Sequence, residues 1–508
     1  MTEKNNRKII LATAPECFFM DIWYSPPLGL AYIASCLERE HYAVEIVDSH
    51  LNNYSVEKAA KVIVSRNPDA VGLTATSDNR SNAIELSRKI KERNDEIFVF
   101  VGGPHFSITA EDALCNVPSI DAVVIGEGEY TSIELLDCYF SKRPLHEVNG
   151  IVFRESREGR NLIKTQKRSL IYDLDSLPMA AYHLFDLKRY SPLPYYFTNL
   201  NDEEKKIPAA GVISSRGCPN SCIYCANNSD AIKTQFRKRS PKKFVDDIQF
   251  LYEQYNSTVF NFWDDTLTLS KQHVLNICKE IIQRGLKIKW YARARVNAVD
   301  KEIVTKMKKA GCISMLFGVE SGSEKILKII NKNITIDQVR SAVKASIDVG
   351  MNVSVAFMVS FPGETQADVT KTFKLIRELR SYGKNVFETD LSPTTIYPGT
   401  LIEEIALKEG KVFPKDFSWN IKTEFRKNRQ LLIAPSLPIY TQQFTLEEIM
   451  AFRLKNKYQQ RLKQSRIMIL TKVIMFIFNI RNFSDLKTSF LIFATFLKLA
   501  KKKNDTSK

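Results

Sequence analysis

Apolar runs that do not alternate, each followed by an amphipathic stretch, recur along most of this chain. KIILATA precedes LGLAYIASCLEREH, AVEIVDS precedes SVEKAAKVIVSRN, and DAVGLTAT, IFVFVGGPH and DAVVIGEGE follow at similar intervals. A strand apolar at every position must be covered on both faces, and the intervening helices supply the cover, so the pattern dictates an α/β fold with a parallel sheet. Residues 1–150 are expected to form a doubly wound parallel sheet. A second series has strands at VISS, VFNFWDD, IKWYARA, ISMLFGVES, VSVAFMVSFPG and ETDLSPTTIYPGT. Six parallel strands with intervening helices predict a partial (β/α)6 barrel over 206–410 rather than an eightfold one. Between the two, 151–205 reads as a hairpin, GIVFRESREGRN, and a proline-punctuated linker.

In both sheets the small and polar residues gather at the carboxyl ends of strands, where such folds bind ligands. In the first sheet these are Thr74, Thr76 and Ser77, then Gly102 and Gly103 before His105, then Gly126, Glu127, Gly128 and Glu129. In the second, the loop after the first strand reads SSRGCPNSCIYCANN over Ser214–Asn228. It holds Cys218, Cys222 and Cys225, three of the nine cysteines. The other six are scattered singly, which fits a reducing, cytoplasmic interior in which clustered thiols mean metal or catalysis. No secretory leader is visible in MTEKNNRKIILATAPE.

Three thiolates on one tight loop suit three irons of a cubane and leave one iron without a protein ligand. An open coordination position is a reaction site, by the logic that separates catalytic from structural zinc. A zinc site would need a fourth ligand, and none stands at workable spacing; Cys278 and Cys312 read as buried thiols of later elements. Cys-x3-Cys-x2-Cys with Tyr224 before the last cysteine, led by Arg216-Gly217, resembles the signature of radical S-adenosylmethionine enzymes. The resemblance implies a [4Fe-4S] cluster on Cys218, Cys222 and Cys225. It also implies S-adenosylmethionine on the open iron, cleaved to a 5′-deoxyadenosyl radical by an electron from an external flavodoxin- or ferredoxin-type donor. Residues at successive barrel strand ends would hold that cofactor: Tyr224, Asp264, Asp265, Arg293, Glu320, Pro362 and Gly363, with Arg295 close by.

The domain order resembles the cobalamin-dependent (class B) members of that family over residues 1 to about 410. Cobalamin would then lie at Thr74, Thr76, Ser77, Gly102, Gly103, Gly126, Glu127 and Gly128, whose hydroxyls and glycine backbones line a slot for its nucleotide tail. Glu127 and Glu129 would meet corrin amides or cap the next helix, and His105 would face the surface or the corrinoid. Asp48-Ser49-His50 matches part of the Asp-x-His-x-x-Gly pattern of some cobalamin proteins, but Asn53 occupies the glycine position. His50 is therefore read as a loop histidine, with cobalt ligation as the alternative.

Charge is distributed unevenly about the net +16: residues 1–150 carry 14 Lys/Arg against 22 Asp/Glu, and 421–508 carry 18 against 5. The extension 411–508 is expected to be helical, basic and apolar. LTKVIMFIFNI and FLIFATFLKLA fall short of the roughly 18 uninterrupted apolar residues of a span. They suit either a helix lying on anionic membrane, a peripheral contact, or a cap on the barrel. The expected reaction is C-methylation of an unactivated carbon of a small-molecule or lipid substrate. A cobalamin-dependent radical cyclase or rearrangement enzyme, acting on a lipid or tetrapyrrole, is the alternative. A tRNA methylthiotransferase would need a second three-cysteine cluster, for which Cys17, Cys36 and Cys115 are poorly placed, so no nucleic-acid partner is expected. A non-catalytic corrinoid carrier would not need the cysteine loop.

Overall fold

The computed structural model describes residues 7–15, 25–156, 161–190, 204, 207, 209–412 and 437–461. In the first sheet series the elements are β1 (Lys8–Thr13), α1 (Leu28–Arg39), β2 (Ala43–Asp48), α2 (Val56–Val64), β3 (Ala70–Thr74), α3 (Arg80–Arg93) and β4 (Phe98–Gly102). They continue through α4 (Pro104–Ile108), α5 (Ala110–Asn116), β5 (Ala122–Val124), α6 (Gly128–Phe140), β6 (Ile151–Arg154) and β7 (Leu162–Lys164). The strand order is β2-β1-β3-β4-β5-β6-β7, parallel from β2 to β5. Two buried apolar clusters fill its faces, one around Ile10, Val71 and Val99 and the other around Leu11, Phe98 and Leu135.

The hairpin β6–β7 departs from expectation. Instead of belonging to a connector, it adds two antiparallel strands to this sheet, which ends at Lys164 rather than near residue 150. β5 is only three residues long and buried throughout. An exposed edge there would leave unpaired backbone groups next to apolar side chains, and β6 covers it.

The second series is β8 (Ala209–Val212), β9 (Ser215–Arg216), β10 (Arg237–Lys238), α7 (Pro241–Tyr255), β11 (Val259–Phe262), α8 (Lys271–Gln283), β12 (Lys289–Ala294) and α9 (Lys301–Lys309). It continues as β13 (Cys312–Glu320), α10 (Glu324–Ile329), α11 (Ile336–Asp348), β14 (Asn352–Val359), α12 (Gln366–Ser381), β15 (Val386–Pro393), α13 (Leu401–Lys408) and α14 (Leu446–Arg461). Six strands pair in parallel in the order β15-β14-β13-β12-β11-β8, the open (β/α)6 arrangement expected. Helix starts are written locally. Ser240 caps α7 ahead of Pro241, and Thr335/Gln338 and Thr365/Asp368 form reciprocal capping boxes on α11 and α12. Trp290 stacks on Phe262 at 4.5 Å in the core between sheet and helices.

One apolar cluster runs from the barrel core through Ile171, Leu174, Tyr182 and Tyr190 of the connector to Tyr32 and Cys36 of α1. The connector is also hydrogen-bonded to both sides. Tyr182 Oη donates to Gly211 O of β8 at 2.6 Å, Tyr190 Oη donates to Asp48 at 2.6 Å, and Ala181 N donates to Ala31 O of α1. Among the described residues no helix is long and apolar enough to cross a membrane. The runs LTKVIMFIFNI and FLIFATFLKLA lie outside the described residues.

Candidate cofactor sites at the facing strand ends

The cysteine loop leaves the barrel between two-residue strands: β9, just before Cys218, pairs antiparallel with β10 at Arg216↔Arg237 and Ser215↔Lys238. Gly217 opens the turn at φ +85°, and a Cβ there would stand 2.4 Å from Gln235 O, so only glycine fits. Asp264, at the end of β11, fixes the loop's start. It is fully buried and accepts from Ser214 N, from Ser214 Oγ at 2.7 Å and from Ser215 Oγ at 2.5 Å. Burial pushes its pKa up, and the serine hydrogen bonds oppose this. Its carboxylate is spent on the loop, so the expected contact to S-adenosylmethionine is replaced by a scaffolding one.

The far side of the loop is stitched to the chain after α10. Ile223 N donates to Ile330 O, Cys222 Sγ lies 3.7 Å from Asn331 O, and Arg295 approaches Cys222 Sγ at 3.9 Å while donating to Lys332 O. Lys332 Nζ bonds Glu320 at 2.8 Å and Tyr224 Oη at 3.1 Å, and Tyr224 Oη donates to the same Glu320 oxygen at 3.0 Å. Glu320 holds φ +70°, a left-handed conformation costly for a residue with a side chain, which persists because these bonds over-determine it. The ribose contact expected of Glu320 therefore competes with a buried ion pair already made.

Cys225 is perturbed by its surroundings. The pKa of Cys225 is pushed up to about 11, first by burial and then by Cys222, Asp265 and Cys218, against a lowering bond from the Asn227 backbone. Among the described residues no three His, Cys, Asp or Glu side chains converge as they would around a single ion. Three cysteines on one short loop, with Cys218 and Cys222 close enough to act on Cys225, are the donor set that a cubane with one open iron would take. Asp265 reaches this neighbourhood too: its pKa is raised by burial and lowered by a hydrogen bond with Asn227 and by Arg293. Arg293 lies over the Trp263 ring at 4.9 Å, and Trp263 Nε1 donates to Ser25 Oγ at 2.8 Å. Of the FPGE turn, Phe361 packs on Tyr224 at 5.7 Å between ring centroids. Gly363 turns elsewhere, donating to Gln442 and accepting from Lys325, so neither it nor its neighbour Pro362 is joined to the cysteine loop by a hydrogen bond.

Opposite the loop, a cavity of about 480 Å³ opens at the carboxyl ends of β3, β4 and β5. Thr74, Gly102, Gly103, Gly126, Glu127 and Gly128 line it, as expected. Gly103, at φ +91°, would put a Cβ 2.6 Å from Thr74 Oγ1. Thr76 and Ser77 are not on its wall: Thr76 bonds Asn79, and Ser77 Oγ meets buried His105 Nδ1 at 3.1 Å. His105 is 1% exposed, so neither a surface nor a corrinoid-facing role survives. Burial pushes the His50 pKa down to about 4, and Asp48 gives its carboxylate to Thr13, Leu51 N and Tyr190. Asn53 takes φ +49°, a left-handed conformation that asparagine, like glycine, tolerates.

Two polar atoms buried without a hydrogen-bond partner, Ser132 Oγ and Arg237 Nη2, belong to residues on the cavity wall. Buried polar groups are ordinarily satisfied, so this wall suits a ligand rich in amide and phosphate acceptors, as a corrinoid is. The sequence reading missed both: a serine inside a helix and an arginine twelve residues past the motif carry no local signal. It also did not foresee the ion pairs of Glu127 and Glu129, both on the cavity wall. Glu127 bonds Arg216 at 2.9 Å, Arg237 at 2.8 Å and Ile171 N at 3.0 Å, and Glu129 bonds Arg216 at 2.6 Å. Burial favours protonated Glu127, but the Arg237, Arg216 and Ile171 hydrogen bonds win and hold its pKa below the usual carboxylate value. Cys36 is buried in α1, its pKa pushed up to about 12 chiefly by burial, and Cys115 is exposed on α5. These two do not meet as a second cluster would require.

Comparison with known proteins agrees with this geometry. Residues 212–376 match the radical SAM superfamily and residues 24–136 the B12 binding domain. The chain is 34% identical over 382 residues to an uncharacterized methyltransferase of Pyrococcus horikoshii, covering 75% of this chain and 78% of that one. It is 28% identical to the anaerobic magnesium-protoporphyrin IX monomethyl ester cyclase of Rubrivivax gelatinosus, covering 70% of this chain and 62% of that one. In fold it resembles the cobalamin-dependent S-adenosylmethionine radical enzyme OxsB with aqua-cobalamin bound, at TM-score 0.69 and 18% identity, over 95% of this chain and 70% of that one. The chain belongs to the cobalamin-dependent radical S-adenosylmethionine enzymes, whose cofactors are a [4Fe-4S] cluster, S-adenosylmethionine and cobalamin.

Proposed function

We propose that this enzyme methylates an unactivated carbon. The observation that carries the reading is the cavity at the β3–β5 ends. Arg216, Asn227 and Thr234 of the cysteine-loop region stand on its wall alongside Thr74 and Gly103, so the two proposed cofactor sites share one space. The methyltransferase of Pyrococcus horikoshii, which matches over most of both chains, favours methylation within that frame. When bound, the cluster and S-adenosylmethionine supply a 5′-deoxyadenosyl radical, and cobalamin supplies a transferable methyl group.

The chain's own residues bind and orient. Cys218, Cys222 and Cys225 hold the cluster, and Arg295 places a guanidinium beside the Cys222 sulfur. Asp265 and Arg293 are the groups assigned to the amino and carboxylate ends of S-adenosylmethionine, whereas Asp264 and Glu320 shape the loop around it. Thr74, Ser132 and the glycines of the strand ends take the corrinoid tail. Trp263 is held between Arg293 and Ser25 and so keeps the Arg293 guanidinium in place. The substrate is a small molecule or lipid, and the electron comes from an external flavodoxin- or ferredoxin-type donor.

The test is anaerobic reconstitution with iron, sulfide and cobalamin, reduction, and mass spectrometry of the products from S-adenosylmethionine in the presence of candidate substrates. Methylation predicts S-adenosylhomocysteine together with 5′-deoxyadenosine. 5′-Deoxyadenosine alone from cobalamin-loaded enzyme turning over substrate would replace this reading with the cyclase or rearrangement one, which the similarity to the Rubrivivax gelatinosus cyclase supports.

A further inference from the structure

The base of the cysteine loop is held less by strand pairing than by charge. β9 and β10 contribute two residue pairs, and the loop 217–236 leaves and returns through them. Both residues of the innermost pair are arginines, and both reach across to the N-terminal domain. Glu127 splits its carboxylate between them, Oε1 to Arg216 and Oε2 to Arg237, while Glu129 takes the second nitrogen of Arg216. The four side chains are 5–16% exposed. Arg216 also lies 5.3 Å from the Tyr32 ring centroid, and Arg237 donates to Ile171 O at 2.7 Å. All four charged residues stand on the wall of the β3–β5 cavity, and Arg216 precedes Cys218 by two residues.

We infer that this carboxylate–arginine clamp couples the two cofactor sites, so that filling the corrinoid cavity orders the cysteine loop and loading the cluster tightens cobalamin. The physical reason is a shared element. A two-pair hairpin has too few backbone bonds to fix the base of a twenty-residue loop: the far side is tied to Ile330 and Asn331, but the base follows where Arg216 and Arg237 are held. Those positions are set by Glu127 and Glu129, whose backbone runs along the cavity floor at the start of α6. A ligand pressing on Gly126 to Gly128, or bonding the unpartnered Arg237 Nη2, acts on the loop through one layer of side chains. Coupling of this kind is reciprocal: the factor by which the cluster tightens cobalamin equals the factor by which cobalamin tightens the cluster.

The inference rests on the proposed placement of both cofactors but not on methyl transfer. The test compares cobalamin affinity of full-length protein, measured anaerobically by equilibrium dialysis, with and without the reconstituted cluster. Wild type is expected to bind cobalamin about tenfold more tightly when the cluster is present, within the usual span of allosteric coupling. Glu127→Gln, which keeps the shape but removes the one charge that Arg216 and Arg237 share, is expected to bring that ratio close to one. Hydrogen exchange of iron-free protein gives a second readout. Cobalamin is expected to slow exchange in 213–238 of wild type and to leave that segment unchanged in Glu127→Gln. A wild-type ratio of one overturns the coupling whatever the variant does, and leaves the site placement standing. Failure of wild type to bind cobalamin in either state overturns the placement and the coupling together. A variant that keeps the tenfold ratio assigns the coupling to other contacts and refutes the clamp.

Discussion

Glu320→Gln tests whether the ion pair behind Tyr224 holds the cysteine loop. Glu320 and Lys332 are each 8% exposed and stand 2.8 Å apart. At an effective dielectric of about 20 their gross attraction is roughly 6 kcal/mol, much of it offset by the desolvation of both groups. The substitution does not remove the pair cleanly, because it leaves the Lys332 ammonium buried without a counter-charge. That situation costs about 3–5 kcal/mol, and since glutamine still offers an oxygen to Tyr224, a loss of about 3 kcal/mol is expected. Urea unfolding followed through the barrel tryptophans should show the midpoint falling by about 1–2 M. The double variant Glu320→Gln/Lys332→Met leaves no buried charge and should regain at least half the loss. A single variant within about 0.5 kcal/mol of wild type, or a double variant as unstable as the two singles summed, would refute the reasoning, since neighbours in one network do not add. Iron retention should follow stability, because Lys332 O accepts from the arginine beside Cys222.

Gly217→Ala, which forces a side chain into φ +85° and against Gln235 O, should abolish iron incorporation, read by iron analysis of reconstituted protein, while the circular dichroism of the two sheets is kept. Cys222→Ala should lose the cluster and all cleavage of S-adenosylmethionine yet still bind cobalamin, more weakly than holoenzyme; retained 5′-deoxyadenosine formation would contradict the ligand assignment. Ser132→Leu fills the corrinoid cavity from α6 with apolar atoms and should prevent cobalamin binding without lowering iron content or the melting temperature. Burial raises the Glu364 pKa to about 7 against backbone bonds from Phe361 and Ser360, so the folded chain holds a proton that the unfolded chain gives up above about pH 4.5. Its contribution to stability is complete below that value and is lost as pH rises through about 7, an order of about 3 kcal/mol. Melting temperatures of Glu364→Gln and wild type should therefore converge near pH 5, with the variant the more stable at pH 8.

The strands were legible because burial on both faces leaves a mark at every position, and the three cysteines because ligand spacing is local. What a strand-end side chain touches is not local. Asp264 and Asp265 are adjacent and chemically identical, yet one is buried against Ser214 and Ser215 and the other faces Asn227 and Arg293. The pleat alone separates them, and its phase at a strand end depends on where β11 stops. Ser77 and His105 look like site residues until folding brings them to each other. The hairpin β6–β7 was recognised as a hairpin, but which sheet it would join depends on the shortness of β5, three buried residues that offered no warning in composition.

The connector between the domains has a consequence for anyone recombining parts of such enzymes. Residues 171–190 are mortar set against two surfaces: Tyr190 holds Asp48 on one side and, through its carbonyl, Ala209 on the other, while Ala181 and Tyr182 do the same between Ala31 and Gly211. A chimera cut at the sequence boundary between the domains would keep half of each joint and strand the other half in apolar surroundings. Exchange of substrate specificity by swapping barrels should therefore succeed only when α1, the connector and β8 travel as one inheritance.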